Sequence, residues 1–229
     1  MCFSAPASFA LSGILTGVGA ASIRQSSSNA RRLFAAIPLL FAAQQAAEGT
    51  VWLTVGGNPE SVVLRVAVYA FLGFALVVWP VWCPLALQRV ERDPVRRRIL
   101  TALIWFGAAV AASAAFLLSR WQPVAVVVEH SIRYDRAGTS SAFRDFLVLL
   151  AYALSTIVPF LVSSAQLART IGLAIVLSLT ATALIERNAL TSVWCFFAAI
   201  LSVLILVAVR REEGLLRAAN LQHVAAARA

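Results

Sequence analysis

The chain has 229 residues, 61% of them hydrophobic and only 13% charged. A soluble globular domain carries about 25% charged residues, so the composition is that of an integral membrane protein. The formal net charge is +9 and every basic residue is arginine. The lack of lysine excludes retinal and pyridoxal Schiff bases and a Walker-type phosphate loop, each of which needs a lysine amine. Because the arginines sit at the edges of apolar runs, the lipid bilayer and topology account for them, and nucleic acid is not an expected partner.

Seven apolar segments follow one another at about 4–23, 33–57, 62–88, 99–119, 146–166, 171–186 and 193–209, against the roughly 20 residues a spanning helix needs. The first has no basic residue ahead of it, so it reads as a retained span and not as a secretory signal. Gly13, Gly17, Gly19 and Ala20 give it a small-residue face for a neighbouring helix. The second carries Phe41, Gln44, Gln45, Glu48 and Trp52 at helical spacings. A carboxyl at membrane depth costs about 2.5–3.5 kcal/mol, so Glu48 requires a partner.

The third segment ends in Trp79-Pro80-Val81-Trp82-Cys83-Pro84. Two prolines four apart free backbone carbonyls that need a neighbour, and the tryptophans are assigned to an interfacial belt. Pro159 is expected to kink the fifth segment beside Ser155 and Thr156. The connection 121–145 reads as a lid, with a strand-like or re-entrant run Val124–Val128 followed by a polar tip through Glu129, His130 and Tyr134. Residues 210–229 read as a weakly amphipathic tail.

If the N-terminus is outside, 13 of the 19 arginines fall on inside segments, with Arg24, Arg31, Arg32 and Arg96–Arg98 the strongest markers. The expected fold is therefore all-α: a bundle of seven transmembrane helices over 1–209, N-terminus outside, with a cytoplasmic tail 210–229.

That topology brings Glu48, Cys2, His130, Tyr134, Glu186, Trp194 and Cys195 to the outer half, while Cys83 alone of the thiols is inner. Three readings of the outer cluster stay open. One is a metal site of Glu48, His130 and Glu186 with Cys2 and Cys195, a donor set that suits Zn, Fe or Cu, although no paired-ligand spacing is present. Another is a pocket for a small ligand or a proton, lined by Gln44, Gln45, Glu48, Trp52, Tyr134 and Trp194. The third is structural, with Glu48 satisfied by a neighbouring helix and Cys2 bonded to Cys195. Only two histidines exist and His223 lies in the tail, so a three-histidine intramembrane site cannot be assembled.

The blocks Met1-Cys2-Phe3-Ser4-Ala5, Pro38–Ala42 with Gln44-Gln45-Ala46-Ala47-Glu48-Gly49, Trp52-Leu53, Trp79–Trp82 and Ser192–Ala198 resemble a family of bacterial multi-pass membrane proteins that begin Met-Cys-Phe-Ser-Ala. The resemblance implies a bacterial cytoplasmic-membrane location and makes Cys2, Gln45, Glu48, Trp52, Trp194 and Cys195 part of the family pattern. It implies no activity. The expected function is binding of a small molecule or metal ion in the outer half of the bundle, centred on Glu48. A membrane metallo-enzyme acting on a lipid- or quinone-like substrate, a transporter or channel, and a purely structural membrane protein are the alternatives. Homo-oligomerisation stays open.

Overall fold

The computed structural model describes residues 4–120, 122–128, 131–135, 142–185, 201–207, 209–211 and 214. Helix α1 (Ala5–Gln25) starts where the Ser4 hydroxyl accepts the Ala7 N–H at 3.4 Å, with Pro6 in the first turn. Its buried residues Ala5, Ser8, Leu15, Gly19 and Ser22 form one stripe, which lies along α3 (Ile37–Thr54). Three contacts set an antiparallel register. Gly19 meets Leu39, Phe9 meets Gly49, and the Ser12 hydroxyl donates to the Ala42 carbonyl at 2.8 Å. Of the small residues expected to admit a helix, Gly19 does so: a methyl there would lie 2.6 Å from the Leu39 side chain. Gly13 and Gly17 face open space among the described residues.

The second apolar segment is not one continuous helix. Short α2 (Asn29–Ala35), capped by Ser28, stops at Ala36, two residues before Pro38, and α3 begins anew with that proline in its first turn. Helix α4 (Val62–Gly73) widens into a π turn, Phe74–Val78, before α5 (Trp79–Val90). The wide turn ends with the Trp79 N–H on the Phe74 carbonyl, immediately ahead of Pro80, which has no N–H to give. Pro84 in turn leaves the Pro80 carbonyl without its helical donor. Helix α6 (Pro94–Arg120) supplies the neighbour: any side chain at Gly107 would collide with that carbonyl, so glycine lets the two backbones meet there.

Pro159 acts as expected. Helix α7 (Ala142–Thr156) breaks at Ile157 before α8 (Val158–Val162), and the Ser155 and Thr156 hydroxyls both turn back to the Tyr152 carbonyl at 2.8 Å. Helix α9 (Gln166–Ile185) follows, and residues 201–207 are helical.

The chain is mostly helical but not all-α. Strands β1 (Val124–Val128) and β2 (Ser131–Asp135) pair antiparallel, with Val124 opposite Asp135. Of the stretch read as a polar tip, Ser131–Asp135 is thus a second strand, and it alternates: Ile132 is buried, Arg133 is exposed, and Tyr134 turns inward again.

Two apolar clusters result. The larger joins Leu15, Phe41, Trp79, Cys83, Leu100, Phe160 and Ile205. The smaller, at the hairpin end, gathers Val51, Leu64, Val68, Phe71 and Ile132, with Trp52 and Tyr134 against it. Among the described residues three helices are long and apolar enough to cross a membrane: Ala5–Gln25, Val62–Val90 and Pro94–Arg120. Phe146–Val162 and Gln166–Leu177 are shorter apolar helices. Among the described residues, length and apolarity thus support three membrane-capable helices; most of the expected seventh segment, 193–209, lies outside the described residues. Helix α3 is outside that set because Gln44, Gln45 and Glu48 interrupt it, yet it is deeply enclosed, with Phe41, Gln44, Gln45, Glu48 and Val51 all buried.

Candidate functional site at the hairpin end

Glu48 is 1% exposed and lies on α3 midway between the two apolar clusters. Its side chain is hydrogen-bonded to Gln45, one turn earlier and equally buried. On α1, Ser8 is one turn before Ser12, whose hydroxyl reaches Ala42, so the antiparallel register puts Ser8 level with Gln45 and Gly49. Ser8 is fully buried, and its hydroxyl finds no hydrogen-bond partner among the described residues.

From above, β2 lowers Tyr134 onto Phe71 of α4, with ring centroids 5.0 Å apart and planes 18° from parallel. Burial, and after it the charge of Glu48, push the Tyr134 phenol above its ordinary range. The Tyr134 hydroxyl is also buried without a partner among the described residues. Four elements thus converge: α1 brings Ser8, α3 brings Gln45 and Glu48, α4 brings Phe71, and β2 brings Tyr134. Chemically this is a carboxyl and an amide with two buried hydroxyls that have no partner among the described residues, walled by aromatic rings.

Trp52, one turn beyond Glu48, packs against the same apolar cluster as Tyr134. Gln44 takes another direction. Its Oε1 accepts the Trp79 Nε1–H at 2.7 Å, and Trp79 lies 4.2 Å from the Phe41 ring, centroid to centroid. Trp79 is 3% exposed, so it belongs to the core and not to an interfacial belt. Trp82 donates to the Leu33 carbonyl at 3.0 Å. Of the metal-ligand set, Cys2, His130, Glu186 and Cys195 lie outside the described residues, as does Trp194. Among the described residues no three His, Cys, Asp or Glu side chains come together to hold a metal.

Sequence reasoning missed Ser8, which has no distinguishing signal apart from its place on the α1 stripe. It also missed a polar junction at the opposite end. There Glu91, 5% exposed, caps the turn after α5. Its Oε1 accepts the Arg92 and Asp93 N–H groups at 2.9 and 3.0 Å and the Ser164 hydroxyl at 2.5 Å, while Oε2 accepts the Ser164 N–H at 2.6 Å. Burial alone would raise this carboxyl, but Ser164 and the two backbone donors outweigh it and hold it below the usual carboxylate range. Asp93 caps α6 through the Arg96 N–H at 2.8 Å, and the Arg96 guanidinium reaches the Val162 and Ser163 carbonyls at 2.8 and 3.2 Å. The Asp93-Pro94 pair was the readable signal, an N-cap followed by proline at the first helical position.

Fold and site together define a helical bundle with membrane-capable helices and a buried polar cluster beside a β-hairpin. Within that class, the chain belongs to the family of unknown function DUF6629, whose model matches residues 1–220. No curated protein and no solved structure matches it.

Proposed function

We propose that the chain is a seven-span bacterial cytoplasmic-membrane protein, N-terminus outside, that binds a small organic molecule in the pocket of Ser8, Gln45, Glu48 and Tyr134. Trp52 forms part of the wall, and the hairpin covers the pocket from the outer face. The observation that carries this reading is the pair of buried hydroxyls, Ser8 and Tyr134, without partners among the described residues at the level of a buried carboxyl. A buried polar atom without a partner costs about 1–3 kcal/mol, and such a cost persists where the group serves a ligand. The ligand class follows from the donors. It offers an acceptor to the two hydroxyls and a hydrogen-bond donor or positive charge to Glu48, and it is small enough to sit beneath Tyr134.

The native mass of the protein in nanodiscs, compared with its denatured mass, tests this. An excess mass that identifies a small molecule and disappears in Glu48→Gln and Tyr134→Phe is the expected result. An excess equal to a metal ion would move the site to the metal reading. Identical native and denatured masses, with both variants unchanged, would overturn the proposal.

A further inference from the structure

The end of the bundle opposite the hairpin is where the arginines gather. Four contacts bring its parts together. Arg210 donates to Gln25 at 3.0 Å, Trp82 to Leu33, Ser164 to Glu91, and Arg96 to Val162 and Ser163. The end of α1, the start of α2, the α5–α6 turn and the α8–α9 loop therefore share one face.

On that face Arg24, Arg89, Arg92, Arg97, Arg98 and Arg169 are exposed. None of their guanidinium groups bonds another described residue. Among the described residues, the two carboxylates at this end are engaged elsewhere. Glu91 is buried on Ser164 and the turn backbone, and Asp93 caps α6. The junction does more than close the turn. By tying the α5–α6 turn to the α8–α9 loop, it sets Arg92, Arg97 and Arg98 on one side of the seam and Arg169 on the other. All of them stand at or beside the ends of apolar helices.

We infer that this face is a docking surface for anionic membrane lipids, whose phosphodiester headgroups seat between the arginines of the α5–α6 turn and Arg169. Guanidinium groups suit the task because they stay charged and bind phosphate oxygens in pairs. Exposed arginines at a membrane edge also orient a chain by charge alone. The inference differs from that in requiring headgroup-selective binding in the folded protein.

The test uses the full chain in nanodiscs of zwitterionic lipid, titrated with phosphatidylglycerol, with thermal unfolding and native-mass lipid counting as readouts. Wild type is expected to retain anionic lipid selectively and to unfold at higher temperature as the anionic fraction rises. Each arginine near an anionic surface contributes about five-fold in affinity, so Arg97→Gln with Arg98→Gln should weaken retention by about 30-fold. Arg169→Gln should weaken it by about five-fold. Both sites are exposed, so the helices should remain intact, which circular dichroism checks. Free inorganic phosphate should not substitute for the lipid. Equal unfolding temperatures in both lipids, or anionic retention unchanged in the Arg97/Arg98 double variant, would overturn the inference. Equal stabilisation by inorganic phosphate would replace it with a soluble-anion site.

Discussion

At the arginine-rich end the Glu91 carboxyl, 5% exposed, meets four donors within 3.0 Å. At the hairpin end the Ser8 hydroxyl and the Tyr134 hydroxyl, equally enclosed, meet none among the described residues. Both ends bury a glutamate, but the surroundings treat it differently. Glu91 is fully enlisted in joining two loops. Glu48 sits at the level of hydroxyls that have no partner among the described residues. A saturated polar junction stabilises a fold, whereas an unsaturated one lowers stability and is retained where something else completes it.

Perturbing each end separately should sharpen the contrast. The largest effect is expected from Glu91→Ala, which strands the Ser164, Arg92 and Asp93 donors and should cost about 3 kcal/mol, read as a fall in the unfolding midpoint in detergent. The same junction sets a pH dependence. The folded carboxyl is held below its unfolded value, so its contribution is complete above about pH 4.3 and is lost as pH falls through the folded value. Wild type should therefore lose stability on acidification, and Glu91→Ala should lose less of it. A parallel acid response in both proteins would show that Glu91 is not the group responsible.

Next in size is Gly107→Ala, which sets a methyl against the Pro80 carbonyl and forces α5 and α6 apart. A loss of about 2 kcal/mol is expected, and an unchanged midpoint would mean that the helices separate without cost.

The smallest effects carry the opposite sign. Tyr134→Phe and Ser8→Ala each remove a hydroxyl without a partner among the described residues, and each should raise the stability of the ligand-free protein by about 1 kcal/mol. Tyr134→Phe should do so while abolishing ligand retention. Destabilisation by either change would place these hydroxyls in the same structural class as Ser164.

Much of the fold was legible before any coordinates. The helical, apolar class follows from composition, and the break at Pro159 follows from a residue that lacks an N–H; the break before Pro38 was read through as one continuous span. The three membrane-capable helices are those that are both long enough and not interrupted midway by an amide or acid. The second strand of the hairpin was not legible, because Ser131-Ile132-Arg133-Tyr134-Asp135 is short, polar in part, and commits to a strand only when Val124–Val128 pairs with it. Glu48 and Gln45 were legible as site candidates from the cost of a carboxyl in an apolar run, and Tyr134 from a topology that puts the connection 121–145 on the outer side. Gln44 was read with them, since helical spacing alone does not say which neighbour each face meets; Trp79 drew its carbonyl into the core.

By itself, the sequence determined the local chemistry: where helices break, which end collects arginine, and which polar residues are too deep to be incidental. Only the tertiary structure decided which of those residues meet. The α1–α3 register brings Ser8 level with Glu48, the hairpin sets Tyr134 over it, and the loop packing delivers Ser164 to Glu91 across 73 positions of chain. Those pairings depend on through-space packing between segments far apart in sequence, and no local periodicity encodes them.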